Sequence, residues 1–223
     1  MPSACATASM PEPRIGAVIL AAGRGTRFGP EPKLLALLDG EPLVRHVARA
    51  ALASPAQPVI VVVGAHAVAI GAALDGLDLH LVDNPDHAAG LSTSLRVGLA
   101  AMPAGTDAAV VLLGDMPRIS AGHIDALVEA YREADVRPSA VVPVSGGRRG
   151  NPVLLDLAQL SDALAALTGD RGAGPLLTER ADVLEIAMDS GVAFDVDTPE
   201  ALASAPHSSR FERRAASRHR SEQ

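Results

Sequence analysis

The chain has 223 residues, of which 48% are hydrophobic and only 2% aromatic, and its formal net charge is −7 at pH 7. This length favours one domain with a core of small aliphatic side chains, and the acidic balance argues against nucleic-acid binding, which requires an extended basic surface. Cys5 is the only cysteine, so an intrachain disulfide and a zinc site of paired cysteines are excluded. We expect a cytoplasmic protein without a membrane or nucleic-acid partner.

The two ends of the chain differ in composition from its middle. Residues 1–13 have neither a basic start nor a continuous apolar run, which predicts a disordered leader rather than a signal peptide. Residues 205–223 contain five arginines, which predicts a mobile basic tail. We expect residues 14–204 to form a single domain.

Short runs of β-branched residues alternate with helical patterns along this middle part. The predicted strands, continuous in apolarity as strands buried on both faces are, cover residues 15–21, 58–63, 78–82, 108–113 and 139–144. Helices are predicted from two apolar faces, one formed by Leu43, Val47 and Ala50 and the other by Ile124, Leu127, Val128 and Tyr131. Residues 183–202 predict a strand, a turn, a second short strand and the start of a helix. The alternation predicts an α/β fold with a mostly parallel central sheet and helices on both faces.

The first predicted strand runs into the loop AAGRGTRFGPEPKL, residues 21–34. Its glycines are spaced G-x-G-x-x-x-G, which fits neither the P-loop nor the dinucleotide fingerprint. The remaining interpretation is an anion cradle, in which backbone N–H groups, Arg24, Arg27 and Lys33 hold a triphosphate. From this loop alone, a basic surface loop without a ligand is an equal alternative.

Aspartates follow two other predicted strands. Asp115 comes after a strand and a glycine, and Asp195 and Asp197 follow the last apolar run. Near a polyphosphate, such carboxylates are suitable ligands for Mg²⁺, which takes one or two carboxylates together with phosphate oxygens and waters. Singly, each is also typical of a turn or a helix cap, and Asp197 precedes a Thr-Pro pair that favours a helix start.

The segment NPDHAAGLSTSLRVGL offers Asn84, Gly90 and Ser94 near a predicted helix start. These residues are suitable for hydrogen-bonding a ribose or a phosphate, although plain helix capping explains them equally. His66, His87 and His123 lack the spacing of a metal site and are interpreted as ordinary polar or helix-end residues. No Ser, His and Asp set indicates nucleophilic catalysis.

Six blocks in this order resemble one enzyme family: AAGRGTRFGPEPKLL, NPDHAAGLSTSLRVGL, LLGDMPRIS, RRGNPVLL, GDRGAGPLL and DVDTPEAL. Together they are similar to the nucleotidyltransferases of the molybdenum-cofactor branch, which are related to MobA, and most of all to the MocA-like molybdenum cofactor cytidylyltransferases. The resemblance extends from about Arg14 to Ser204. It implies a Rossmann-like nucleotidyltransferase fold, Mg²⁺ as cofactor, and transfer of CMP from CTP to the terminal phosphate of Mo-molybdopterin with release of pyrophosphate.

The resemblance also implies roles for individual residues. Catalysis would depend on Arg27, Lys33 and Asp115, and the metal would bind Asp115 and Asp197. The nucleotide would contact Ala21, Ala22, Gly23, Arg24, Gly25, Arg27, Lys33, Asn84, Gly90 and Ser94, the last three of which are also candidates for the pterin side.

Two local features bear on the choice of substrates. Ala21 and Ala22 before Gly23 match the CTP-using enzymes, whereas the guanylyltransferases tend to have a second glycine there. Asn151 replaces a histidine that such enzymes usually have before the proline. The alternatives are a GTP-using cofactor guanylyltransferase, a sugar-phosphate nucleotidyltransferase, and a non-catalytic protein that carries molybdenum cofactor to an apo-molybdoenzyme.

Overall fold

The computed structural model describes residues 12–25, 28, 32–178 and 180–203. The strands are β1 (Ile15–Ala21), β2 (Leu37–Leu38), β3 (Glu41–Pro42), β4 (Val59–Val63), β5 (His80–Asp83), β6 (Ala108–Leu113), β7 (Ala140–Ser145), β8 (Arg148–Arg149), β9 (Val153–Asp156) and β10 (Val183–Ala187). The helices are α1 (Leu43–Leu52), α2 (Ala67–Ala73), α3 (Leu91–Ala100), α4 (Ala121–Glu133), α5 (Ser161–Ala165), α6 (Gly174–Leu177) and α7 (Pro199–Ala203).

The central sheet has the strand order β10-β7-β9-β6-β1-β4-β5, with β8 paired to β7. Strands β6, β1, β4 and β5 are parallel neighbours, and Ile19 of β1 pairs with Val61 on one side and Leu112 on the other. Strand β9 lies antiparallel between β6 and β7, and β10 is parallel to β7. The predicted mostly parallel sheet is confirmed, and the carboxyl ends of β1, β4, β5, β6 and β7 all lie at one edge.

Apolar side chains cover both faces of this sheet, since successive residues of a strand point to opposite sides. On one face, Ile19 belongs to a cluster with Val47 of α1 and Leu127 of α4. On the other face, its neighbour Val18 belongs to a cluster with Leu95 of α3 and side chains of α5 and α6. All seven residues of β1 are buried, which explains why its sequence is apolar without alternation.

Strand β5 departs from the predicted burial. It begins and ends later than the expected strand over residues 78–82, and its residues are mostly exposed, with Leu81 exposed at 46%. The reason is its place at the end of the sheet order, where it has a strand on one side only.

The second short strand predicted within residues 183–202 is wrong. A 3-10 turn occupies Ser190–Ala193, because the Asp189 carboxylate accepts a hydrogen bond from the Gly191 N–H at 2.7 Å. The extended residues that follow bond to a loop instead of a strand: the N–H of Val196 donates to the carbonyl of Asp115.

The predicted leader and tail fall almost wholly outside the described residues, which omit 1–11 and 204–223. Within the part of the chain that the structure describes, the longest helix is α4 with 13 residues. No helix there has the length and apolarity needed to cross a bilayer.

Candidate active site

The loops that follow β1, β4 and β6 enclose a cavity of about 570 Å³. Its lining includes the apolar side chains of Leu20, Leu113 and Ile70, together with Gly23, Arg24, Lys33 and Asp115. This position, beyond the carboxyl ends of parallel strands, is where open α/β sheets bind ligands. The sequence predicted that the glycine loop and Asp115 meet at one sheet edge, and the structure brings them together there.

The glycine loop turns back on itself through Gly25. This residue has a φ of +60°, and a Cβ added to it would lie 2.9 Å from the Cβ of Lys33. Its carbonyl accepts a hydrogen bond from the N–H of Phe28 at 3.0 Å. A side chain at this position would push Lys33 away, so glycine is needed for both conformation and space. Arg27, predicted to be catalytic, lies outside the described residues.

Lys33 forms an ion cluster with both predicted metal ligands. Its Nζ lies 2.7 Å from Oδ2 of Asp115 and 2.7 Å from Oδ1 of Asp197, and its side chain is only 10% exposed. Burial lowers the pKa of Lys33, but the hydrogen bonds and charges of the two carboxylates raise that pKa by more, so it lies above its ordinary value. Lys33 therefore carries a positive charge at neutral pH.

Asp197 reaches this cluster through the segment that contains the 3-10 turn. The N–H of Val196 donates to the Asp115 carbonyl at 3.0 Å, and the N–H of Asn151 donates to the Val192 carbonyl at 2.9 Å. The guanidinium of Arg118 lies 3.6 Å from the centroid of the Phe194 ring, a favourable cation–π geometry. These contacts hold the segment against the loop after β6 and the loop between β8 and β9.

The oxygen atoms of this cluster fit a divalent metal ion. Oδ1 of Asp115 is buried and has no hydrogen-bond partner among the described residues, so one strong acceptor is left for a ligand. In the described ranges, no group of three or more His, Cys, Asp or Glu could hold a metal by itself. Two carboxylates are sufficient for Mg²⁺ when phosphate oxygens and water complete its coordination.

The candidates for the nucleoside side divide into two groups. Ala22, Gly90 and Ser94 line the large cavity, whereas Ala21 is buried in the core. Asn84 is also fully buried, and its amide donates hydrogen bonds of 2.9 Å to the hydroxyls of Thr93 and Ser94. Asn84 therefore orients the start of α3 and stays behind the cavity wall.

Several residues that the sequence reading did not assign also line the cavity: His66, His87 and Asp170. Asp170 lies at the cavity because the preceding residue, Gly169, is held against α3: its carbonyl accepts a hydrogen bond from the N–H of Ser92 at 3.1 Å. Gly90, with a φ of +111°, permits this approach, since an added Cβ would lie 2.3 Å from the carbonyl carbon of Gly169. The block GDRGAGPLL carried a signal for this loop, but no residue in it had been given a role.

The composition of the chain carries a further signal for this site. Lys33 is the only lysine of the chain, whose lysines and arginines together number 19. All the others are arginines. Lys33 is therefore the only lysine ammonium of the chain, a compact charge on a flexible stem, and it lies in this cluster.

A smaller cavity of about 200 Å³ adjoins the first, and Leu113 lines both. Its wall includes Met116, Arg148, Asn151 and Asp195. The neighbouring arginine, Arg149, is fixed by hydrogen bonds of 2.7 Å to Glu185 and to the carbonyl of Leu177.

A comparison of the sequence with family profiles matches residues 17–183 to the MobA-like NTP transferase domain. The chain belongs to this family. The resemblance to MobA-related nucleotidyltransferases that the six sequence blocks indicated is thereby confirmed, and the chain is a nucleotidyltransferase.

Two proteins that are similar in sequence to this chain differ in their named activities. Nicotine blue oxidoreductase of Paenarthrobacter nicotinovorans is 29% identical over 195 residues, which are 85% of this chain and 95% of that protein. The 2-C-methyl-D-erythritol 4-phosphate cytidylyltransferase of Streptomyces avermitilis is 37% identical over 152 residues, 60% of this chain and 56% of that enzyme. Sequence similarity to these two proteins therefore does not select one activity.

Among solved structures, Rv0371c of Mycobacterium tuberculosis H37Rv superimposes with a TM-score of 0.73 at 28% identity, covering 87% of this chain and 97% of that one. The same protein has also been solved as a manganese complex, which matches with a TM-score of 0.70 at 29% identity over 86% of this chain and 100% of that one. The predicted Rossmann-like nucleotidyltransferase fold is confirmed, and a related protein holds a divalent metal ion.

Proposed function

We propose that this nucleotidyltransferase moves CMP from CTP to the terminal phosphate of Mo-molybdopterin and releases pyrophosphate, in the cytoplasm and with Mg²⁺. The observation that carries the proposal is the large cavity, in which a glycine loop ends on the cluster of Lys33, Asp115 and Asp197. Backbone N–H groups and basic side chains along one wall, with carboxylates beside them, suit a metal-bound triphosphate.

The choice of CTP rests on the residues that precede Gly23. Ala22 lines the large cavity. The pair Ala21 and Ala22, which resembles that of CTP-using relatives, and the similarity to a named cytidylyltransferase support the same choice.

The acceptor would enter the smaller cavity. Arg148 and Asn151 face it, and their side chains make no hydrogen bond or ion pair within the described residues, in contrast to Arg149. A guanidinium and an amide are suitable donors for a phosphate monoester. Because both cavities share Leu113 at the end of β6, an acceptor phosphate there would lie next to Asp115.

The chemistry requires little beyond alignment and charge neutralisation. An acceptor phosphate is already ionised near neutral pH, so no strong general base is needed. Lys33, Arg24 and Arg27 would offset charge on the triphosphate, and Mg²⁺ bound by Asp115 and Asp197 would supply further positive charge at the reacting phosphate.

One assay tests the proposal directly. The protein is incubated with Mo-molybdopterin, Mg²⁺ and each of the four nucleoside triphosphates, and the dinucleotide product is identified by mass spectrometry. We expect product and pyrophosphate with CTP only. Product with GTP alone would identify a guanylyltransferase, and tight binding of molybdopterin without any pyrophosphate would identify a carrier that delivers cofactor to an apo-molybdoenzyme.

A thermal-shift measurement isolates the choice of base. A triphosphate present at a hundred times its dissociation constant stabilises a protein by about 2.7 kcal/mol. We expect stabilisation by CTP with Mg²⁺, and stabilisation by GTP but not CTP would contradict the proposed donor. The similarity to nicotine blue oxidoreductase favours a second candidate, a redox function. Transfer of electrons from an added reductant to a dye, catalysed by this protein without pyrophosphate release, would support it.

A further inference from the structure

The ammonium of Lys33 lies where a metal ion between Asp115 and Asp197 would lie. It contacts one oxygen of each carboxylate at 2.7 Å, and little solvent reaches it. Two carboxylates that both contact this cation form a site that is already neutralised in part. A divalent ion that binds both would meet a positive charge in direct contact with its ligands.

We propose that Lys33 acts as the resident counter-ion of the metal site and that a divalent cation must displace its ammonium from the carboxylate pair. This inference rests on the metal assignment in the proposed function. The displaced side chain has a destination, because Lys33 also lines the large cavity beside Gly23 and Arg24. Metal binding would therefore deliver the ammonium toward the triphosphate.

The identity of the residue supports a displaceable cation. A lysine offers a compact charge on four rotatable methylenes, whereas an arginine would bind a carboxylate through two parallel hydrogen bonds and leave less readily. The chain uses arginine at all other positions of this class and lysine here alone. The ammonium also has a function without metal, since it separates two carboxylates that would otherwise repel each other.

The inference predicts that removal of the Lys33 ammonium strengthens metal binding, although Lys33 belongs to the candidate active site. Lys33→Met should bind metal more tightly than the wild-type protein in the absence of nucleotide, because the metal no longer competes with an ammonium. We expect the dissociation constant for Mn²⁺, measured from the electron paramagnetic resonance of free Mn²⁺, to fall at least tenfold. Lys33→Arg, which keeps the positive charge, should show no gain.

Two further variants serve as controls. Arg24→Met removes a cation from the same cavity without touching the carboxylates, and we expect its Mn²⁺ affinity to stay within about threefold of wild type, as the field of an exposed charge is screened. Asp115→Asn should lose the Mn²⁺ site. If Mn²⁺ binding does not depend on Asp115, the metal assignment of the proposed function fails. If it does, but Lys33→Met binds no more tightly than wild type, only the present inference is overturned.

A second measurement follows Lys33 in the unchanged protein. Isotope labelling of lysine gives one side-chain ε-methylene NMR signal from this chain, because Lys33 is its only lysine. Titration with Mg²⁺ alone should move this signal to a saturating limit, and the movement should vanish in Asp115→Asn. A signal that stays in place while Mn²⁺ binds through Asp115 would overturn the inference.

Discussion

Asp115 and Asp156 differ in how completely their oxygens are bonded, although each follows or ends a strand of the same sheet. Asp156, at the end of β9, is 4% exposed and accepts four hydrogen bonds. Their donors are the Tyr131 hydroxyl at 2.7 Å, the Gln159 amide at 3.1 Å, and the N–H groups of Ala158 and Gln159 at 3.0 and 2.9 Å. No acceptor capacity is left for a ligand.

Asp115 lies at the opposite edge, because β6 and β9 are antiparallel. One of its oxygens bonds to Lys33, and the other is buried without a partner among the described residues. A buried polar atom that is not bonded costs free energy unless a ligand or water completes it. All the acceptor positions of Asp156 are used within the fold, whereas Asp115 keeps one acceptor oxygen beside the cavity.

The largest effect is expected from Asp115→Asn. The amide has no negative charge for a metal ion, so pyrophosphate release should fall by at least about 100-fold, as on loss of one stabilising group in other enzymes. The free energy of unfolding should change by less than about 1 kcal/mol, because Lys33 keeps its contact with Asp197. Turnover and urea denaturation of the purified variant measure the two quantities.

Asp125→Asn is the matched control for this prediction. Asp125 also has a buried oxygen without a partner in the described part of the chain, but it lies on α4 and lines neither cavity. We expect normal turnover. An equal loss in both variants would show that the unfilled oxygen, and not its place beside the cavity, is what matters.

Asp156→Ala should have the reverse effect. Four donors lose their acceptor in the protein interior, which we expect to lower the free energy of unfolding by about 3 kcal/mol or more. Pyrophosphate release per folded molecule should be unchanged below the unfolding transition. Loss of turnover in a variant of normal stability would contradict the purely structural role of Asp156.

A smaller effect is expected from Tyr131→Phe. It removes one of the four donors and keeps the buried ring beside Arg137, whose guanidinium lies 5.4 Å from the ring centroid. The loss should be about 1 kcal/mol in urea denaturation. In the Asp156→Ala background the same substitution should cost less, and equal losses in both backgrounds would show that this hydrogen bond contributes nothing.

The smallest effects concern the pH dependence of stability. The contribution of Asp156 is lost in acid, whereas that of Lys33 is lost in alkali. Burial raises the pKa of Asp156, but hydrogen bonds from Gln159, Tyr131 and Ala158 lower that pKa by more, so it lies below its ordinary value. Its contribution is therefore complete above the ordinary aspartate pKa and is lost as the pH falls through the folded-state pKa. The stability difference between wild type and Asp156→Asn should stay constant above about pH 5 and shrink in stronger acid.

Lys33 behaves in the opposite way. Because folding raises the pKa of Lys33, its contribution is present at neutral and acid pH and is lost only as the pH rises above the ordinary lysine value of about 10.4. Urea denaturation of wild type and Lys33→Met from pH 6 to 11.5 measures this difference. A difference that changes between pH 6 and 8 would contradict the assignment.

Much of the fold could be predicted because its signals are local. Continuous apolar runs predicted the buried strands, and the spacing of Ile124, Leu127, Val128 and Tyr131 predicted α4, where all four are buried. The exposure of β5 could not be predicted, since only the strand order decides which strand has a single neighbour. A second short strand was predicted within residues 183–202, but the N–H of Val196 there donates to the carbonyl of Asp115, which is remote in sequence and lies in a loop.

The candidate site divides in the same way. The sequence by itself determined the glycine loop, the aspartate after β6 and a family resemblance, because glycine spacing and residues at strand ends can be read along the chain. Only the tertiary structure decided that Asp197 shares one ammonium with Asp115, that Asn84 lies behind the cavity wall, and that Asp170 lies on its rim. Those relations join residues far apart in sequence, and the packing of the whole sheet sets their distances.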